Sequence, residues 1–222
     1  MFKNGWHQAI RHLINVGILI SGRGSNMDAI LGAIKSGKIK NAKSCVVISN
    51  KPDAVGLKIA SEEYGVPTKA IPPDNYSLKG WDYDQKMVAV LHEYDVIPES
   101  GLVCLAGFMR IISPEFVRHY RMRIMNIHPS LLPSFRGLHA QRQALDYGVK
   151  ITGCTVHFVD EGVDSGPVIL QKAVDVIDGD NEESLSARIL EQEHQLYPEA
   201  VRMFCDGRLK IEGRWVSSIM SR

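Results

Sequence analysis

Residues 16–26, VGILISGRGSN, are the part of the sequence that most clearly indicates the fold class. Its first five residues are wholly apolar, which is typical of a strand buried on both faces of a sheet. The glycine-rich turn SGRGSN follows at once. After it, apolar residues recur at the spacing of a helix, at Met27, Ile30, Leu31 and Ile34. This order of strand, glycine turn and helix predicts the first unit of an α/β fold.

The same alternation continues along the chain. Further strands are predicted at 44–49, 67–71, 102–106 and 123–127, and helices at 53–65, 81–94 and 114–120. Buried strands that alternate with helices favour a mainly parallel, twisted, Rossmann-like sheet with helices on both faces. Two alternating, β-branched segments, 151–159 and 167–176, predict antiparallel strands added at the sheet edge. A long helix is predicted at 181–205, with Asp180 and Glu183 as its capping pair.

Length and composition indicate an ordinary globular protein. The chain has 222 residues, of which 45% are hydrophobic and 23% charged, and its net charge is +1. With no strong charge and no long apolar run, we expect neither nucleic acid nor a membrane as partner. Four scattered cysteines predict reduced thiols in the cytoplasm, and no spacing suggests a metal site. We expect an N-terminal extension at 1–14 and a single domain at 15–222.

The glycine turn predicts an anion site. Glycines let the backbone approach a ligand, and the start of a helix supplies unpaired N–H groups and a partial positive charge. Ser25 and Asn26 add polar side chains. The turn lacks the third glycine of a dinucleotide site, and Asn50-Lys51 stands where an acidic ribose-binding residue would follow the second strand. A single phosphate group is therefore favoured over a dinucleotide, with a plain capped turn as the structural alternative.

Asn126 and His128 form a polar pair at the end of the strand 123–127. Residues two apart in a strand point to the same side, and this end of an open α/β sheet is where ligands bind. An Asn amide can donate to a developing oxyanion, and a histidine can carry a proton near neutral pH. Asp164, in the turn DEGVDSG, is the best candidate for a carboxylate that stabilises an imidazolium. These residues suggest direct acyl or formyl transfer, although a strand-end pair satisfied by loop backbone is an equal alternative.

Glu193 lies on the wrong face of its predicted helix. The apolar stripe of that helix is formed by Leu185, Ile189, Leu196, Ala200 and Phe204, and Glu193 falls near its middle. A buried carboxylate is costly unless it has a partner. The residue pattern leaves two alternatives open, an internal Arg or Lys and a ligand with hydroxyl or amine groups. His157, in a predicted strand, is interpreted as structural.

Five segments together resemble the glycinamide ribonucleotide formyltransferase family of folate-dependent purine synthesis. They are ISGRGSNM, LAGFMRII, NIHPSLLPSFRGLHAQRQAL, HFVDEGVDSGPVILQ and EQEHQLYP, and the resemblance covers about residues 15–212. It implies a cytoplasmic formyltransferase that acts on small molecules as a monomer or homodimer. The enzyme would transfer the formyl group of 10-formyltetrahydrofolate, as co-substrate and without a metal, to the glycyl amine of 5-phosphoribosylglycinamide through a tetrahedral intermediate.

The resemblance also implies roles for individual residues. Asn126, His128 and Asp164 match the catalytic trio. Gly24, Ser25 and Asn26 would hold the substrate phosphate, and Glu193 its ribose hydroxyls. The formyl folate would contact Met109, Arg110, Ile111 and Ile112, the loop residues Asp160, Glu161, Gly162 and Val163, and Lys79 near its tail.

Three other functions remain as alternatives. A 10-formyltetrahydrofolate hydrolase shares the Asn-His-Asp core but gives the formyl group to water, and that family carries an added regulatory domain and lacks the glycine turn. A methionyl-tRNA formyltransferase has an added domain for tRNA. A non-catalytic nucleotide-binding module would require the trio to be incidental.

Overall fold

A computed structural model describes residues 13–73 and 80–219. The strands are β1 (Ile14–Ile20), β2 (Ala42–Ser49), β3 (Thr68–Ala70), β4 (Gly101–Leu105), β5 (Ile124–His128), β6 (Ile151–Phe158), β7 (Val168–Asp175), β8 (Leu209–Glu212) and β9 (Trp215–Ser218). The helices are α1 (Ser25–Lys35), α2 (Val55–Tyr64), α3 (Trp81–Glu93), α4 (Pro114–His119), α5 (Ala140–Tyr147) and α6 (Glu182–Cys205).

Seven strands form one sheet in the order β3-β2-β1-β4-β5-β6-β7. The pairs among β1 to β5 are parallel, whereas β6 runs antiparallel to both β5 and β7. The predicted fold class is therefore confirmed, including the antiparallel strands at the edge. Strands β8 and β9 form a separate antiparallel hairpin.

The central strands are apolar because helices cover both faces of the sheet. Val16, Ile18 and Ile20 point into a core shared with α1 and α6, and Leu19 points into the opposite core, shared with α3 and α4. These β1 side chains have no exposed surface. Full burial on both faces explains why the strand reads as a continuous apolar run rather than as an alternating one.

The sheet reverses its winding direction at β1. From β1 the chain adds β2 and β3 on one side, then crosses to add β4 and β5 on the other. Such a point leaves a crevice beyond the carboxyl ends of the two central strands, where the following turns diverge. The glycine turn after β1 and the segment after β4 line a cavity at this point, and β5 is the next strand beyond β4.

The predicted capping pair of the last helix is wrong. The capping box of α6 is formed by Asn181 and Ser184, and each side chain accepts a hydrogen bond from the backbone N–H of the other residue. Asp180 instead forms two bonds with the guanidinium of Arg188, both 2.8 Å long. Asn181, one residue after Asp180, is the N-cap because its backbone is extended directly before the first residue of the helix.

Several features lie outside the residue-pattern predictions. The pattern does not indicate α5 or the β8–β9 hairpin. Ile14, the last residue of the predicted extension, is the first of β1, and residues 1–12 lie outside the described part, so the extension stays a prediction. In residues 13–73 and 80–219, no helix is both long and apolar enough to cross a membrane. All four cysteines are buried free thiols.

Candidate active site

The glycine turn forms one end of the crevice. Gly24 adopts φ 76°, a left-handed conformation that favours glycine, and it precedes α1 without any side-chain cap on the helix. A Cβ at Gly24 would lie 3.1 Å from the backbone of Gly56. The turn lines a cavity of about 210 Å³ with Gly107 and Met109. Uncapped N–H groups at a glycine turn have the geometry of an anion site.

Ser21 connects this turn to two neighbouring strands. Its hydroxyl donates to Asn50 Oδ1 at 2.6 Å and accepts from the backbone N–H of Met109 at 2.8 Å. Ser21 is 4% exposed, so both bonds are shielded from water. In the sequence, Asn50 stands out only because an acidic residue is missing at its position. The structure shows that it helps to fix the carboxyl ends of β1, β2 and β4 relative to one another.

Glu193 is buried beside the turn. It is 7% exposed, and its Oε2 accepts a 2.7 Å hydrogen bond from Asn26 Nδ2. Among residues 13–73 and 80–219 it forms no ion pair with Lys or Arg, which favours the second alternative, a ligand. The Oδ1 atom of Asn26 is also buried and has no hydrogen-bond partner. An orphaned acceptor beside a buried carboxylate fits a ligand that brings hydroxyl donors.

Burial makes Glu193 sensitive to pH. Desolvation raises its pKa from the ordinary 4.5 to about 7, against the opposing effect of the Asn26 hydrogen bond. Because the folded-state pKa lies above the unfolded value, the contribution of Glu193 to stability is greatest below pH 4.5 and is lost as pH rises through about 7. Ionised Glu193 thus lowers the stability of the ligand-free protein at alkaline pH.

We expect Glu193→Gln to remove this pH-dependent loss. The variant should be more stable than the parent at pH 8, by up to about 3 kcal/mol, and nearly equal at pH 4. Urea unfolding of both proteins across this range measures the difference. Glu191→Gln, an exposed position on the same helix, is the control. A stability difference that does not change with pH would contradict the prediction.

The structure brings Asn126, His128 and Asp164 together. His128 is 5% exposed, and its Nδ1 lies 3.3 Å from Asp164 Oδ2. Its Nε2 lies 2.8 Å from the carbonyl oxygen of Phe135, which can only accept a hydrogen bond. The ring therefore lies between two hydrogen-bond acceptors, the Asp164 carboxylate and the Phe135 carbonyl.

His157 orients the Asn126 amide. His157 is buried, and its Nδ1 donates to the backbone oxygen of Phe158 at 2.9 Å. Burial also lowers the pKa of His157, so the ring is neutral and Nε2 is an acceptor. Asn126 Nδ2 lies 3.3 Å from that acceptor. One amide hydrogen is used in this bond, which leaves the second free for a ligand. The contact of His157 with Asn126 has no sequence signal.

Asp164 is held by the loop that carries it. Its Oδ2 also accepts the backbone N–H of Gly137 at 2.8 Å, whereas Oδ1 lies 3.8 Å from His157 Nε2. Within the same loop, Asp160 Oδ1 accepts from Ser165 Oγ at 2.6 Å and from the N–H of Gly162 at 3.1 Å. These bonds fix the carboxylate against His128, and they leave Oδ1 with room for a further hydrogen bond.

Large apolar side chains are exposed in both segments that are predicted to contact the folate. Met109 is 68% exposed, Ile111 85% and Val163 56%. Exposed apolar groups of this size are typical of a ligand-binding surface. Lys79, predicted near the same ligand, lies outside the described residues. A larger groove of about 600 Å³ between α1 and α6 contains none of the trio.

Known proteins resemble this chain over most of its length. A phosphoribosylglycinamide formyltransferase of Escherichia coli is 46% identical over 198 residues, which are 89% of this chain and 90% of that protein. A trifunctional purine biosynthetic protein adenosine-3 of Drosophila melanogaster is 46% identical over 86% of this chain, which spans only 14% of that protein.

Solved structures give the same result. Glycinamide ribonucleotide transformylase 1 of Symbiobacterium toebii is 48% identical, with a TM-score of 0.89 over 98% of this chain and 99% of that one. A formyltetrahydrofolate deformylase of Pseudomonas syringae has the same fold, with a TM-score of 0.83, but is 25% identical, and this chain covers 67% of it. A family model described as formyl transferase matches residues 14–201. The chain belongs to the formyl transferase family.

Proposed function

We propose that this enzyme transfers the formyl group of 10-formyltetrahydrofolate to the glycyl amine of 5-phosphoribosylglycinamide, a step of purine synthesis. The observation that carries the proposal is the arrangement of His128 and Asn126. The His128 ring, held between Asp164 and the carbonyl of Phe135, lies two residues from the Asn126 amide at the carboxyl end of β5. An amide donor and an imidazole on the same side of one strand support stabilisation of an oxyanion there.

The acceptor would bind at the glycine turn. Gly24, Ser25 and Asn26 would hold its phosphate at the start of α1, where the helix carries partial positive charge. Glu193 would accept hydrogen bonds from its ribose hydroxyls, and Asn26 Oδ1 would gain a donor. Both groups are buried and incompletely paired in the ligand-free protein, which supports a polyhydroxyl ligand at this position.

The formyl folate would bind across the crevice. Met109, Arg110, Ile111 and Ile112 would line its ring, largely through backbone groups, and the loop of Asp160, Glu161, Gly162 and Val163 would lie over the same ring. The exposed apolar side chains of Met109, Ile111 and Val163 support this placement. Lys79 is proposed near the folate tail on the resemblance alone.

The proposed mechanism is direct attack. The glycyl amine attacks the formyl carbon, and the resulting oxyanion accepts from Asn126 and is stabilised by the positive charge of His128. Asp164 keeps His128 charged, and it orders a water molecule through Oδ1. That water relays the proton lost by the amine to N10 of the folate, and the C–N10 bond then breaks. Holding the two substrates together supplies a further large part of the rate.

One assay separates transfer from hydrolysis. The protein is incubated with 10-formyltetrahydrofolate with and without phosphoribosylglycinamide, and tetrahydrofolate release is followed together with formylation of the amine. We expect release to depend on the amine by about 100-fold or more, because water lacks the binding contacts that position the acceptor. Equal release without the amine would favour the hydrolase alternative and contradict the proposal.

The transferase is favoured over the hydrolase by the acceptor end of the site. A hydrolase has no use for a phosphate turn, nor for Glu193 paired with Asn26.

Four buried free thiols support a reducing, cytoplasmic location. A monomer or homodimer, with small molecules as its only partners, stays a prediction that sedimentation of the purified protein tests.

A further inference from the structure

Asp84 is a buried carboxylate outside the candidate active site. It lies in the first turn of α3 and is 2% exposed. Burial raises the pKa of Asp84, which the hydrogen bonds from Ser113 and the charge of Arg110 oppose. Burying a carboxylate costs free energy unless its oxygens are paired. The groups that bond to Asp84 therefore indicate its role in the structure.

Those partners lie at the end of the segment 109–113. Asp84 Oδ2 accepts the backbone N–H of Ser113 at 2.6 Å, in a bond shielded from water. Ser113 is the N-cap of α4, and its hydroxyl accepts from the N–H of Phe116 at 3.2 Å. Asp84 thus fixes the point where the irregular chain after β4 becomes helical again.

The rest of the segment is anchored as well. The guanidinium carbon of Arg110 lies 4.0 Å from the ring centre of Tyr83, whose hydroxyl donates to Ile71 at 2.6 Å. At the other end, the Met109 N–H bonds to Ser21. Tyr83 and Asp84 of α3 therefore anchor the middle and the end of the segment, and Ser21, directly after β1, anchors its beginning.

Residues 109–113 form neither helix nor strand, so no regular backbone hydrogen bonding sets their shape. The side chains of Met109 and Ile111 are largely exposed and supply no packing of their own. Ile112 packs against the core, so this contact and the anchors determine where the backbone groups of the segment point. We infer that Asp84 is a positioning residue for the formyl-folate site, acting through the backbone of 109–113. This inference rests on the proposed function.

The test is Asp84→Asn, which keeps the shape of the side chain and removes its charge. We expect the KM for 10-formyltetrahydrofolate to rise about fivefold or more, because a charged hydrogen bond that fixes the binding segment is weakened. The kcat at saturating folate and the KM for phosphoribosylglycinamide should stay within about twofold, since neither the trio nor the glycine turn is touched. Tetrahydrofolate binding, followed by titration calorimetry, should weaken by the same factor as the KM.

The matched control is Tyr120→Phe. It removes another fully buried hydrogen bond of the same layer, from the Tyr120 hydroxyl to the carbonyl of Val96 at 2.6 Å, at the end of α4 opposite to Ser113. Its folate KM should be unchanged. If Asp84→Asn does not fold, Asp84→Glu keeps the charge, displaces the carboxylate, and should show the same selective rise.

Three outcomes would overturn the inference. They are an unchanged folate KM in Asp84→Asn, an equal rise in both KM values, and a fall in thermal stability with no kinetic change. A parent protein without amine-dependent formyl transfer would instead contradict the proposed function, so the two failures are distinguishable.

Discussion

Asp164→Asn should lower kcat by about 10²- to 10⁴-fold with the fold intact. The amide retains the shape of the carboxylate and can still accept from Gly137, but it carries no negative charge. His128 Nδ1 would then face a neutral group at 3.3 Å, and the imidazolium would lose its stabilising partner. The water relay through Oδ1 would also lose a proton acceptor. Both effects act on the reaction step rather than on binding.

Steady-state kinetics with both substrates measures this effect. The KM values should change little, because Asp164 is not placed against the phosphate or the folate ring. Asp146→Asn, an exposed carboxylate paired with Arg142 on α5, is the control and should be fully active. A kcat within tenfold of the parent would remove Asp164 from the mechanism.

Asn126→Ala should lower kcat by about 10²- to 10³-fold, the usual effect of losing one oxyanion donor. The amide hydrogen not used by His157 is the group lost. His157 also loses its hydrogen-bond partner, but its other nitrogen keeps the bond to Phe158, so the ring should stay in place. Asn126→Asp should be at least as harmful, because it places a negative charge where the oxyanion develops.

Asn15→Ala is the matched control. Asn15 lies at the opposite end of the sheet, where its amide donates to the carbonyl of Asp95 at 2.8 Å. That variant should keep its kcat, and circular dichroism of all three variants should match the parent. Near-normal formyl transfer by Asn126→Ala would show that the oxyanion is stabilised elsewhere.

The residue pattern predicted the fold class because its signals are local. The uninterrupted apolar run of β1 and the helical spacing after Gly24 each lie within about ten residues. The same holds for Asn126 and His128, which share a side because they are two apart in β5. Glu193 could be singled out by periodicity alone, although its partner could not.

The partners could not be predicted because they are distant in sequence. Asn26 meets Glu193 across 167 positions, and Asp84 meets Ser113 across 29. His157 contacts Asn126 because β6 runs antiparallel to β5 and pairs those two residues directly. Strand order and register set these distances, and neither is encoded in the spacing of a single segment.

Three features could be predicted without a structure: the alternation of strands and helices, the glycine turn before α1, and the residue types of the trio. Periodicity and backbone freedom are properties of short segments, so they can be recognised in the sequence. The folded structure was needed to show which nitrogen of His128 faces Asp164, that His157 contacts the Asn126 amide, and that Asp84 bonds to Ser113. Each of these contacts joins two segments that are distant in sequence and meet only when the chain is folded.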